Sequence, residues 1–358
     1  MPDHLFVRGG ILRNGISRRG LLGGGAGLIA APFVSRPAFA ADKITVADPG
    51  GVYVTGFTPA FYAPFRKTGV ELVNVSRDAE PTSQVKAQVE AKSYIWDVVS
   101  ITLSSRKLLS DAGLLAPLQL SGADYDELLP LAKQPDWMGT NVYGSVLGFR
   151  TDAMKARPSN WADFYDVAKF PGRRALPKSP IHTLEGALLA DGVDPKQLYP
   201  LDVKHALEKI KEIKSQTLFW RTASEGMQFM RSGECSIGAM WNTRAATLKK
   251  ETDGAIDHQW NQGVLQSAAW VVPKGNPAGR TNAMKLIAFM QDPDRQIAFL
   301  ETNLAGPMNP AANAKLPPAD IDLSPGAPAN RQKQILMNYD WLAKNYETVE
   351  PQYIEAIS

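Results

Sequence analysis

Between Lys43 and Thr302 short β-prone runs alternate with amphipathic helical stretches, twice over, and this alternation leaves few folds open. In the first block residues 44–47 read as a strand that runs into the Pro49-Gly50-Gly51 turn. Residues 58–66 follow, with Phe61, Tyr62 and Phe65 at helical spacing. Strands at 71–75 and 96–100 alternate with helices at 82–92 and through Leu108 and Leu109 to Gly113. The second block has strand-like runs at 146–150, 174–177 and 217–221, and helix-like runs at 160–166, 184–190 and 202–214. Thr222-Ala223-Ser224-Glu225 carries a capping-box signature opening a helix to Gly233. A strand at 266–273, a helical stretch at 281–302 interrupted by Pro293, a Pro-rich loop at 316–328 and a helical region from about Asn330 complete the chain. Such βα series build mostly parallel sheets flanked by helices, with ligands outside the carboxyl ends of the strands. The fold class is α/β, and 358 residues suit two lobes rather than one core.

The first forty residues stand apart. Ser17-Arg18-Arg19-Gly20-Leu21-Leu22 precedes a small, apolar run at 23–34 and then Pro37-Ala38-Phe39-Ala40. A charged segment, an apolar segment and an Ala-x-Ala site form a removable signal, here of the twin-arginine type, cleaved near Ala40. The apolar run is shorter than the ~20 residues of a span, so no stable membrane insertion is expected. A periplasmic location follows. The formal charge of +3 is the leader's doing: it holds five arginines and one aspartate, and without it 34 basic face 35 acidic residues. The case for a nucleic-acid partner goes with it. Cleavage leaves no cysteine to carry a lipid anchor.

One Cys and four His, with no CxxC or HExxH, supply no metal-ligand spacing, and there is no GxGxxG or GxxxxGK[ST] phosphate loop. No cofactor, metal or catalytic residue is assigned. Cys235 lies in an apolar run and is expected to be a buried, inert thiol. Arg173-Arg174, after a Pro-Gly turn, is expected to be a solvated loop pair. Asp97 and Glu185 have no evident partner, so no acid–base pair for an enzyme is apparent.

Several segments together carry a family likeness: residues 65–72 (FRKTGVEL), 96–102 (WDVVSIT) with Gly113-Leu114-Leu115, and 160–164 (NWADF) with Phe170-Pro171-Gly172. To these belong residues 233–242 (GECSIGAMWN) and 268–276 (AAWVVPKGN). In order and spacing, over nearly the whole chain after the leader, the set resembles the periplasmic solute-binding proteins of the spermidine/putrescine type, receptors of ABC importers. The resemblance implies a two-lobed type II periplasmic-binding fold with the ligand in the cleft and hinge closure upon it. It also implies a small-molecule solute, ABC permease subunits as partners and a monomer. Residues 41–148 with about 269–310 would form lobe 1, and 149–268 with about 311–358 lobe 2.

Matched segment by segment, the likeness places Thr102 and Ser104 on the hydroxyl-bearing ligand loop and Trp241 at an aromatic position. Where polyamine receptors carry their amine-binding carboxylates, this chain has Ser179, His182 and Ala268, and Gln266 replaces a tryptophan. Cations stand near the rim instead: Arg221, Arg244 and His182. With backbone donors at Gly51 and at the Thr222 helix start, and with Tyr53 and Asn242 beside them, the set favours a carboxylate or zwitterion over a polyamine. A polyamine (putrescine or spermidine) receptor is the alternative. Ferric-ion binding by tyrosines such as Tyr53, Tyr62, Tyr94 and Tyr143, or a secreted enzyme on the same fold, are alternatives of another class.

Overall fold

β1 (Lys43–Asp48) sends alternate side chains to opposite faces, and this decides the layering around it. Val46 enters a core cluster with Phe57, Phe61 and Trp270, whereas Ala47 enters another with Val99, Ile101 and Trp137. The computed structural model describes residues 43–77, 80–120, 128, 133–277 and 279–358; the expected leader lies outside them. After β1 come α1 (Val52–Phe57, prolonged by a π-helical turn Thr58–Tyr62 and by Ala63–Arg66), β2 (Glu71–Ser76), α2 (Thr82–Ala91), β3 (Val98–Thr102) and α3 (Leu103–Asp111). β1 pairs in parallel with both β2 and β3, as a βαβ series requires.

A two-residue strand, β4 (Lys133–Gln134), leads into the long β5 (Trp137–Arg150). The second parallel set follows: α4 (Trp161–Tyr165), β6 (Arg174–Pro177), α5 (Thr183–Ala190), α6 (Val203–Glu212), β7 (Thr217–Trp220), α7 (Ala223–Ser232), β8 (Ile237–Trp241) and α8 (Asn242–Glu251). Side-chain caps fix the starts: Asn160, Asp202 and Thr222 each accept from the backbone N–H three residues on. The long β9 (Ile256–Val271), α9 (Met284–Phe289), α10 (Pro293–Asn303), three short helical turns, β10 (Ile335–Leu336) and α11 (Tyr339–Ile357) complete the chain.

The strand order is β2-β1-β3-β9-β5-β8-β6-β7. Two parallel triplets therefore flank one antiparallel pair, β9 and β5, which belongs to both. The carboxyl end of β9 pairs with β3, and the carboxyl half of β5 pairs with β8. Between these halves the β5–β9 register slips twice, at Gly139/Val142 and Ser145/Leu147. Gly263 permits the second slip: a Cβ there would lie 3.0 Å from the Ser145 carbonyl oxygen and 3.1 Å from that of Trp260. Around the second triplet the core again divides, with Leu147, Phe149 and Trp161 in one cluster and Val146, Ala175 and Trp260 in the other.

Pro293 separates α9 from α10 as its missing N–H demands, and Cys235 is buried with its thiol pushed up to about 12 by desolvation. Three expectations are corrected. β5 and β9 extend well beyond 146–150 and 266–273, because their Gly-, Asn- and Gln-rich stretches, weak strand signals alone, are held by antiparallel pairing with each other. Arg174 is fully buried in β6, where Nε donates to Phe164 O at 2.9 Å and Nη1 to Gly172 O at 2.5 Å. The terminal helix starts at Tyr339, not near Asn330, with the Asn338 side chain as its cap. Asp97 and Glu185 also have partners, Thr45 N–H at 2.6 Å and the Tyr199 hydroxyl at 2.6 Å.

Candidate functional site

Strand–helix junctions supply the raw material of a site. β1 runs through Gly51 (φ 55) into α1, β3 through Thr102 into α3, and β8 through Trp241 into α8. Helix amino ends carry free N–H groups and partial positive charge, so each junction favours an anion. Two junctions from different triplets lie within electrostatic reach of each other: burial pushes the Tyr53 phenol, in the first turn of α1, upward, while the positive charge of Arg244, in the first turn of α8, pulls against it together with Arg77.

The crossing pair forms the middle of this region. Tyr143 on β5 lies opposite Gln266 on β9, and Ser145 lies opposite Trp241 on β8. The Trp241 ring meets Tyr143 edge-on at 5.5 Å and His182 at 4.7 Å. His182 Nδ1 shares a 3.0 Å hydrogen bond with Ser145 Oγ. Burial alone lowers His182 to about 3, so it is a neutral imidazole at physiological pH. This corrects its expected role as a rim cation. Tyr339, opening α11, accepts from Ser267 N–H at 2.7 Å, and burial pushes the Tyr143 phenol up, reinforced by Tyr339, Tyr53 and Glu80.

The charges are unequal in their ties. Arg77 donates from Nε to Ser100 O at 2.8 Å and lies 3.7 Å from Glu80, whose Oε1 accepts from Thr102 N–H at 3.0 Å. Among the described residues the guanidinium of Arg244 has no ion pair or hydrogen bond, and neither has that of Arg221, exposed at the end of β7. Gln266 is 4% exposed and its Nε2 has no partner among the described residues. A buried orphan donor of this kind costs ~1–3 kcal/mol, which a solute acceptor would recover.

Of the residues expected from sequence, His182, Trp241 and Gln266 are gathered around Tyr143 by ring contacts and strand pairing, Asn242 bonds the next residue, Gly144, and Arg244 and Tyr53 feel each other electrostatically. Thr102 uses its hydroxyl to cap α3, accepting from Ser105 N–H at 3.2 Å, and Ser104 follows in that helix. Ser179 Oγ accepts from Ile181 N–H at 3.4 Å. Thr222 caps α7 at the outer strand, and Arg221 N–H bonds Glu225 at 2.7 Å. No hydrogen bond, ion pair or ring contact among the described residues ties Arg221, Thr222, Ser104 or Gly51 to the aromatic group. Sequence reasoning missed Arg77, Glu80, Ser145 and Tyr339, and passed over Tyr143 except as an iron ligand. Tyr143 and Ser145 sit on the polar half of β5 that was not read as strand.

Comparison with known proteins gives this arrangement relatives. The profile of the bacterial extracellular solute-binding protein family matches residues 60–329. A gamma-aminobutyric acid-binding protein of Pseudomonas aeruginosa is 29% identical over 317 residues, 87% of this chain and 90% of that protein. A solved GABA receptor superposes with a TM-score of 0.81 at 28% identity, covering 88% of this chain and 98% of its own. An ABC transporter substrate-binding protein from Bradyrhizobium japonicum USDA 110 gives a TM-score of 0.79 at 33% identity, covering 88% and 99%. These neighbours share the two-lobed α/β architecture. By sequence and by fold, this chain belongs to the bacterial extracellular solute-binding proteins.

Proposed function

We propose that this solute receptor holds a small carboxylate or zwitterion, in the size class of an ω-amino acid, in a cleft between its lobes, and delivers it to the permease of an ABC importer. One observation carries the ligand class: the cationic side chain of Arg244, at the strand–helix junction beside Trp241, has no acidic partner among the described residues. A guanidinium fork suits a carboxylate bidentately, while a polyamine would meet like charge in a partly desolvated site. The GABA-binding relatives support the same ligand class. For an ammonium end, Glu80 and the faces of Tyr143 and Trp241 are suitable partners.

The same proposal includes export by the twin-arginine route with cleavage near Ala40, residence in the periplasm as a monomer, and closure by hinge bending. Lobe 1 would comprise 41–148 with about 269–310, and lobe 2 149–268 with about 311–358. The pairing of β3 with the carboxyl end of β9, and the place of Val349 and Tyr353 in the core with Phe149 and Trp161, favour this division. The hinge would lie at the register slips of β5 and β9, and only a solute touching both lobes would shift the population toward closure.

Titration calorimetry and thermal shift on residues 41–358 with GABA, succinate and putrescine test the ligand class. An acid or zwitterion is expected to bind, adding about 2.7 kcal/mol of stability at a hundred times its Kd. Binding of putrescine with no response to any acid would overturn the assignment.

A further inference from the structure

Asn242 is 1% exposed and opens α8 between Trp241 and Arg244, where a solute-contacting side chain would be expected. Both ends of its amide are spent on the protein. Oδ1 accepts from Gly144 N–H at 2.9 Å, and Nδ2 donates to Leu304 O at 3.0 Å. The first bond adds a rung to the β5–β8 ladder just past the Ser145–Trp241 pair, where β8 has already become helix. The second reaches the turn after α10, where Leu304 takes φ 60 and Gly306 exchanges two backbone hydrogen bonds with Val142, at 2.7 and 2.9 Å. One residue before Leu304, Asn303 Nδ2 donates to Val52 O at 2.9 Å, in the first turn of α1 beside Tyr53. A line of ties therefore joins the start of α8, the crossing strand and the start of α1. It requires a donor and an acceptor on one short side chain, which an amide has and a carboxylate or a methyl lacks.

We infer that Asn242 is a positioning residue that couples the solute-facing helix starts of the two triplets, and not a ligand of the solute. The inference rests on the cleft assignment above. Asn242 cannot turn toward a solute without giving up one of its ties. Without those ties a smaller share of molecules holds the two helix starts together. The resulting loss of affinity is a population factor, the same for every solute that needs both starts, whereas a direct contact would weaken solutes unequally according to the group it touches.

Spin labels at Lys86→Cys on α2 and Lys211→Cys on α6, both at exposed lysines, report the distance between the triplets; Cys235 is buried. In solute-free protein Asn242→Ala is expected to lengthen and broaden the distance distribution, and affinities for GABA and succinate to fall by one common factor of about ten. Asn242→Asp, which keeps the Gly144 tie and loses the donor to Leu304, is expected to move both readouts the same way. So is Asn303→Ala, which cuts the adjoining tie at a half-exposed residue and keeps the test alive if Asn242→Ala does not fold. A parent-like solute-free distribution in the folded variants overturns the inference, as does an affinity loss confined to one solute. Should the parent bind none of the solutes, the cleft assignment fails while the solute-free distances still decide the role of Asn242.

Discussion

His182 shows how a residue's charge is decided by its surroundings and not by its type. Its depressed folded value means that, as pH falls below about 6.5, the unfolded chain takes up a proton that the folded chain refuses until about 3. Stability present above the unfolded value is therefore lost on acidification, by about 2 kcal/mol between pH 7 and 5 from this group alone. His182→Asn, which tolerates the positive φ of 54, is expected to flatten that part of the urea-unfolding profile relative to the parent. Arg244 belongs to the same scale: Arg244→Ala is expected to weaken a carboxylate solute at least tenfold in calorimetry, the size of one charge-assisted bond, with little change in melting temperature. At Tyr62 the outcome reverses. Its hydroxyl donates to the buried Asp48 carboxylate at 2.9 Å, on the residue that also anchors Gly50 N–H at 2.8 Å, so Tyr62→Phe is expected to cost ~1–3 kcal/mol in chemical denaturation.

Elements were legible where local chemistry is self-sufficient. The capped, amphipathic α6 and the Pro293 break stand as their spacing implies, since caps and proline act within one turn. β5 and β9 were half-legible because their central residues, including Tyr143, Gly144, Leu265 and Gln266, owe strand geometry to partners more than a hundred positions away. The site shared that fate: Trp241 and Arg244 were visible beside an apolar strand, whereas Tyr143 and Ser145 reach Trp241 and His182 only through the crossing strand, and Arg77 reaches Ser100 only through the first triplet. Packing between elements is similarly non-local. A Cβ on Gly186 of α5 would lie 2.7 Å from the Trp161 indole, fully buried behind α4. Gly186→Ala is therefore expected to destabilise by ~1–3 kcal/mol despite its better helix propensity, readable as a lower urea midpoint with unchanged slope.

For the whole molecule the sheet order matters more than any single contact, because the two parallel triplets are joined through strands that each triplet needs. The hinge motion proposed about those strands predicts a smaller radius of gyration in solution scattering when solute is added, and Arg244→Ala is expected to abolish the change at solute concentrations that saturate the parent. With the proposed leader removed, 34 basic face 35 acidic residues, so the proposed capture would be governed by local cations and not by long-range attraction.

The position of α11 has a consequence for synthesis. Val349 and Tyr353 complete the core around Leu147 and Phe149, Tyr353 donates to Pro177 O at 2.6 Å, and Tyr339 pins Ser267. A ribosome adding about 5–20 residues per second exposes β1 to β3 many seconds before these residues arrive. Until they do, the second core lacks part of its wall and the crossing strand one of its anchors. The second lobe's packing is therefore completed late in synthesis, and a chain stalled or clipped before α11 carries both parallel strand sets without the side chains that close that core.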